Sequence, residues 1–120
     1  MQKHIAISPD LAENIIKFSH DKNVSFSNAC IQLAYCGIQR LENTPKAPIK
    51  LNSVIPILRN RKMKLPNIKN NYYVYFQPQH YNQIKNLCVQ EGYRFSKYFS
   101  YLIYLGLCDM NYEVNLVFEL

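Results

Sequence analysis

Two short stretches of the chain alternate between apolar and polar residues, and each leads into two segments with helical spacing. Near the start, Ile5 and Ile7 alternate with His4, Ala6 and Ser8. A period of two predicts a strand with Ile5 and Ile7 turned to a core and Gln2, His4 and Ala6 turned outward. Ser8-Pro9 then supplies a side-chain oxygen at the N-cap and a proline at the first helical position, which together begin a helix. Asp10 and Glu13 suit the positive end of its dipole, and Leu11, Ile15 and Phe18 share one face. The polar run 19–23 ends it. Ser25 is placed to cap a second helix, whose apolar stripe is Ala29, Cys30, Leu33, Ala34, Cys36 and Ile38. Gly37 lies late in that helix, where glycine costs up to about 1 kcal/mol relative to alanine, so a close neighbour is expected there.

The plan returns between residues 73 and 110, displaced by 69 positions without a gap. Pro9 falls on Pro78, Ile15 on Ile84, Phe26 on Phe95, Ser27 on Ser96, Leu33 on Leu102, Tyr35 on Tyr104 and Gly37 on Gly106. Asn23 falls on Gly92, and these residue types most easily turn left-handed at a helix end. In the second copy Tyr72, Val74 and Phe76 take the inward register, leaving Asn71, Tyr73 and Tyr75 outward. Gln77-Pro78 replaces Ser8-Pro9. Ile84 and Leu87, with Tyr81 beside them, continue the inner face. Phe99, Leu102, Ile103, Gly106 and Leu107 form the last stripe, and Tyr98, Tyr101 and Tyr104 make that helix aromatic in a way that suits a core or interface. One such unit of about forty residues buries too little apolar surface to stand alone. A repeat at fixed displacement therefore predicts two halves with a shared core.

The segments Ile5-Ala-Ile-Ser-Pro-Asp-Leu and Val24-Ser-Phe-Ser, the turn at Asn23 and the helix ending at Gly37-Ile38 resemble the ribbon-helix-helix (Arc/MetJ-type) family of DNA-binding proteins. The two copies in one chain resemble the tandem, TraY-type accessory proteins of conjugative plasmids. That resemblance implies a mainly α fold with a short two-stranded antiparallel ribbon, a tandem pseudo-dimer sharing one core, which either binds DNA singly or pairs further on it. It further implies that the ribbon enters the major groove, and that the starts of the second helices hold DNA phosphates. Residues 1–42 form the first repeat, 43–70 a basic proline-containing linker, 71–110 the second repeat, and 111–120 a tail with a possible strand over 114–118.

Charge is concentrated in one place. Residues 1–42 balance at zero, residues 71–120 at −1, and residues 43–70 hold seven cations with no acid, giving the net charge of +6. Pro45, Pro48, Pro56 and Pro66 exclude a long helix there. Residues 51–58 suit an edge strand or a cover over the core. Arg59, Arg61, Lys62 and Lys64 suit either a solvated linker or an arm along phosphates.

Under the resemblance, Gln2, His4, Ala6, Asn71, Tyr73 and Tyr75 become the base-reading face. Asparagine and glutamine can bridge adenine, and tyrosine can meet a base edge or a thymine methyl; alternatively, Tyr73 and Tyr75 only stabilise the ribbon by cross-strand packing. Ser25, Ser27 and Asn28 in one copy, and Arg94, Ser96 and Lys97 in the other, become phosphate contacts. Arg94 and Lys97 oppose the dipole at a helix start, which a phosphate would relieve. The expected function is sequence-specific binding of double-stranded DNA, as a transcriptional repressor or a plasmid or phage DNA-processing accessory protein, at an asymmetric site. The alternative is a protein-interaction module that has lost DNA binding.

Catalytic motifs are missing: there is no Gly-rich phosphate loop, no Gly-x-Ser-x-Gly and no His-Glu-x-x-His, so an enzyme is not expected. Cys30, Cys36, Cys88 and Cys108 form no Cys-x-x-Cys pair and suit small buried side chains better than a zinc site with His20 or His80. No cofactor or metal is expected. With no apolar run of about 18 residues and no long apolar leader, the expectation is a cytoplasmic protein with reduced thiols and no membrane span.

Overall fold

The computed structural model describes residues 1–43 and 70–112. Six elements follow in order: β1 (Gln2–Ile7), α1 (Pro9–Lys22), α2 (Phe26–Asn43), β2 (Asn70–Tyr75), α3 (Pro78–Glu91) and α4 (Phe95–Asp109). The described part is mainly helical, with one two-stranded antiparallel sheet beside four helices. The basic residues Arg59, Arg61, Lys62 and Lys64, the expected strand or cover at 51–58 and the possible strand at 114–118 lie outside the described residues.

Local chemistry sets the element ends. The Ser8 hydroxyl accepts the Leu11 N–H at 3.3 Å, with Pro9 opening α1. Asn23 closes α1 at φ 54°, and Gly92 closes α3 at φ 75°. Both left-handed caps return their N–H to carbonyls of the last turn, which would otherwise lack partners. The Ser25 hydroxyl accepts the Asn28 N–H at 3.2 Å at the start of α2. Gln77 and Arg94, which open α3 and α4, offer no side-chain cap.

β1 and β2 pair antiparallel, with His4 opposite Tyr73, Ile5 opposite Tyr72 and Lys3 opposite Val74. Displacing His4 by 69 gives Tyr73, so exchanging the two stretches returns the same register about the His4–Tyr73 pair. Ile5, Ile7, Val74 and Phe76 turn inward and are buried. They join Leu11, Ile15 and Phe18 of α1, Leu33 and Ile38 of α2, Ile84 of α3, and Phe99, Leu102 and Leu107 of α4 in one continuous cluster. Each fully buried side chain of this size stabilises the fold by about 1.5–3 kcal/mol. Two expected stripe residues, Cys36 and Leu87, are only partly buried, whereas Cys88 and Tyr98 are buried. Cys88 lies four residues after Ile84, on the same helix face, and Leu87 flanks it.

Helices α2 and α4 cross in closest contact at their glycines. A Cβ on Gly37 would overlap the Leu102 carbonyl oxygen and lie 2.9 Å from its carbonyl carbon. A Cβ on Gly106 would meet Leu33 the same way, 2.8 Å from its carbonyl carbon. The expectation of a close neighbour at Gly37 is met, and the neighbour is backbone. No helix among the described residues is long and apolar enough to cross a membrane.

Candidate functional site

A two-stranded sheet packed on one side presents its other side whole. Gln2, His4, Asn71, Tyr73 and Tyr75 are exposed and Ala6 is half-buried, all on the outer side of the sheet. Cross-strand pairing arranges them in three rows: Gln2 opposite Tyr75, His4 opposite Tyr73, and Ala6 opposite Asn71. In the middle row the His4 and Tyr73 rings meet edge to face, with centroids 4.1 Å apart. Tyr73 and Tyr75 still keep 54% and 60% of their surface open, so cross-strand packing does not occupy them fully. Ala6 lies four positions after Gln2, so the rows span about 13 Å, or roughly four base-pair steps at about 3.4 Å per step. None of the six is lysine or arginine.

The starts of α2 and α4 flank the two edges of this sheet. The Ser27 hydroxyl accepts the Tyr75 N–H at 3.0 Å. The Ser96 hydroxyl accepts the Ala6 N–H at 3.4 Å. Displaced by 69, the first contact becomes the second. Both serines thus hold outward-pointing strand amides that the ladder leaves unpaired. Each hydroxyl that accepts retains its own proton to donate. Ser25 and Asn28 sit at the α2 start, which Ser25 caps, and Arg94 and Lys97 at the α4 start. The structure therefore gathers Gln2, His4, Ala6, Asn71, Tyr73 and Tyr75 on one face and sets Ser27 and Ser96 at its margins.

Sequence reasoning gave Lys3 no role. Its backbone lies in the inward register, but its ammonium sits 4.9 Å from the centre of the Tyr81 ring, with the Lys85 ammonium 5.7 Å from the same ring. A lysine among inward-facing strand positions must lead its charge out along the sheet edge; that was the available signal. On the equivalent side Phe26 stacks on Tyr72, centroids 5.3 Å apart, so the two margins differ in charge.

Burial pushes the Cys30 thiol up to about 12 and the Cys88 thiol up to about 11, which leaves both protonated and poorly nucleophilic near neutrality. Among the described residues no group of three or more His, Cys, Asp or Glu side chains could hold a metal ion. No protein-family model, curated protein or solved structure matches the chain.

Proposed function

We propose that the chain binds double-stranded DNA sequence-specifically, as a ribbon-helix-helix pseudo-dimer folded from one polypeptide. The observation that carries this reading is the reciprocity of three contacts under one displacement of 69. The strand register returns itself, Ser27–Tyr75 becomes Ser96–Ala6, and Gly37–Leu102 becomes Gly106–Leu33. Such reciprocity is the mark of a two-fold interface. Its axis runs through the sheet at His4 and Tyr73. A two-stranded ribbon fits the major groove, about 12 Å wide. With β1 and β2 in the groove, the starts of α2 and α4 lie to either side, where the phosphate walls run, and helix starts favour anions. The amides of Gln2 and Asn71 are equivalent residues and suit adenine. Because the halves differ, the preferred site is not a palindrome. A repressor or a DNA-processing accessory protein would both use this activity.

Fluorescence anisotropy with labelled duplexes over a range of salt tests the proposal. Affinity should fall steeply with salt, with a slope near −0.9 per phosphate contacted. Tyr73→Ala should narrow the gap between preferred and random duplexes while leaving nonspecific affinity nearly intact. The second reading, a protein-interaction module, is favoured by the exposed tyrosines and the lack of a cation among the six outer-face residues. It predicts no duplex binding at low salt.

A further inference from the structure

Resting on the DNA reading, we infer that the two ends of the sheet divide the work: the Gln2/Tyr75 end reads bases, and the Ala6/Asn71 end holds the backbone. At one end a long amide, Gln2, stands opposite a phenol that is 60% exposed, Tyr75. At the other, a methyl, Ala6, stands opposite the short amide Asn71. Gln2 and Asn71 are equivalent under the displacement of 69, as are Ala6 and Tyr75, so both pairs differ in reach in the same sense. The outer face is consequently tall at one end and low at the other. In a groove of even depth, side chains at the tall end meet base edges first.

The helix starts are unequal in the complementary direction. The tall end is joined through Ser27 to the start of α2, where Ser25, Ser27 and Asn28 are uncharged. The low end is joined through Ser96 to the start of α4, which carries Arg94 and Lys97. Of the two helix starts, the charged one therefore accompanies the end with the least reach toward bases, while the tall end carries its cations, Lys3 and the Met1 ammonium, on the strand itself. Phosphate contacts position a protein and base contacts specify its site, and this chain places the means for each at opposite ends. Bound to its site, the protein has a direction: sequence information falls mainly in the half-site beneath Gln2 and Tyr75.

A base-pair substitution scan of a duplex selected from random sequence tests the inference, using the full chain. Substitutions in one half-site should each weaken binding about tenfold or more, the range of a good bidentate or paired contact; those in the other half should cost less than about threefold. Gln2→Ala should flatten the scan far more than Asn71→Ala, although the two residues are equivalent. Tyr75→Phe should retain the strong half, and Tyr75→Ala should weaken it. Ala6→Tyr should raise selectivity in the weak half. Arg94→Gln with Lys97→Gln should lower affinity for every duplex alike and reduce the salt slope by up to about two. Equal losses in both halves, or a larger effect from Asn71→Ala, would overturn the polarity and leave DNA binding standing. Absence of duplex binding at low salt would overturn both.

Discussion

Replacing Gly37 by alanine tests how closely α2 and α4 approach. The added Cβ would overlap the Leu102 carbonyl oxygen and stand 2.9 Å from its carbonyl carbon. The obstacle is backbone inside a second helix, so no rotamer change relieves it, and the helices must separate at the centre of the core. Overpacking typically costs about 1–3 kcal/mol. Alanine returns at most about 1 kcal/mol of helix propensity. Because the obstacle is backbone, the upper end of that range applies, and about 3 less about 1 leaves a net loss of about 2 kcal/mol. In urea denaturation, with a slope of roughly 1–3 kcal/mol per molar for a domain of this size, the midpoint should fall by about 1 M at unchanged slope. Gly106→Ala should match it, because the Leu33 carbonyl stands in the same relation. The double variant should lose less than the two single losses together, since the first substitution already opens the crossing. Gln39→Ala, on the exposed side of α2, should change stability by no more than about 0.5 kcal/mol. An unchanged or raised midpoint for Gly37→Ala would refute the close crossing.

Ser27→Ala should speed hydrogen exchange at the Tyr75 amide and cost about 0.5–1 kcal/mol; Ser96→Ala should act more weakly at Ala6, where the bond is 3.4 Å rather than 3.0 Å. Ser8→Ala should cost about 1 kcal/mol by removing the α1 cap, while Gln77→Ser, at a helix start with no side-chain cap, should gain up to about 1 kcal/mol, both read from thermal unfolding. Stability should also fall at alkaline pH. Cys30 is raised from an ordinary 9.0 to about 12 and Cys88 from the same value to about 11 by burial. Below the ordinary value both folded and unfolded thiols hold their protons; above it the unfolded chain releases protons that the folded chain keeps, so stability declines as pH rises through that window. The decline should be shallower in Cys88→Ala, and an identical alkaline slope would contradict the assignment.

Elements with their own local chemistry were legible in the chain. Ser8-Pro9 marked a helix start, Asn23 and Gly92 marked left-handed ends, and the alternation at Ile5 and Ile7 gave both the strand and its inward face. Each signal lies within a few residues and acts before tertiary contacts form. Gly37 pointed to a close approach because a glycine inside a helix is costly without one, but only the packing of α2 on α4 identifies Leu102 as the neighbour. Under the family resemblance, Ser27 and Ser96 are expected phosphate contacts at the starts of the second helices. Their bonds to the Tyr75 and Ala6 amides span the two halves, and no local pattern encodes such a partner. The position of the Lys3 ammonium is not legible in the chain, because a period of two assigns a face and not the path of a long side chain. On α3 both Leu87 and Cys88 belong to the inner side, Cys88 buried and Leu87 packed at the edge of the core; which of two adjacent positions lies deeper depends on tertiary packing and not on helical spacing.

Amide chemical-shift mapping on a selected duplex tests DNA binding through the sheet most directly. One equivalent of duplex should perturb Gln2, His4, Asn71, Tyr73 and Tyr75 together with the first turns of α2 and α4, leaving the exposed sides of α1 and α3 nearly unmoved, with one polypeptide in each complex. Perturbation confined to α1 or α3, or a spectrum unchanged by duplex DNA at low salt, would contradict it.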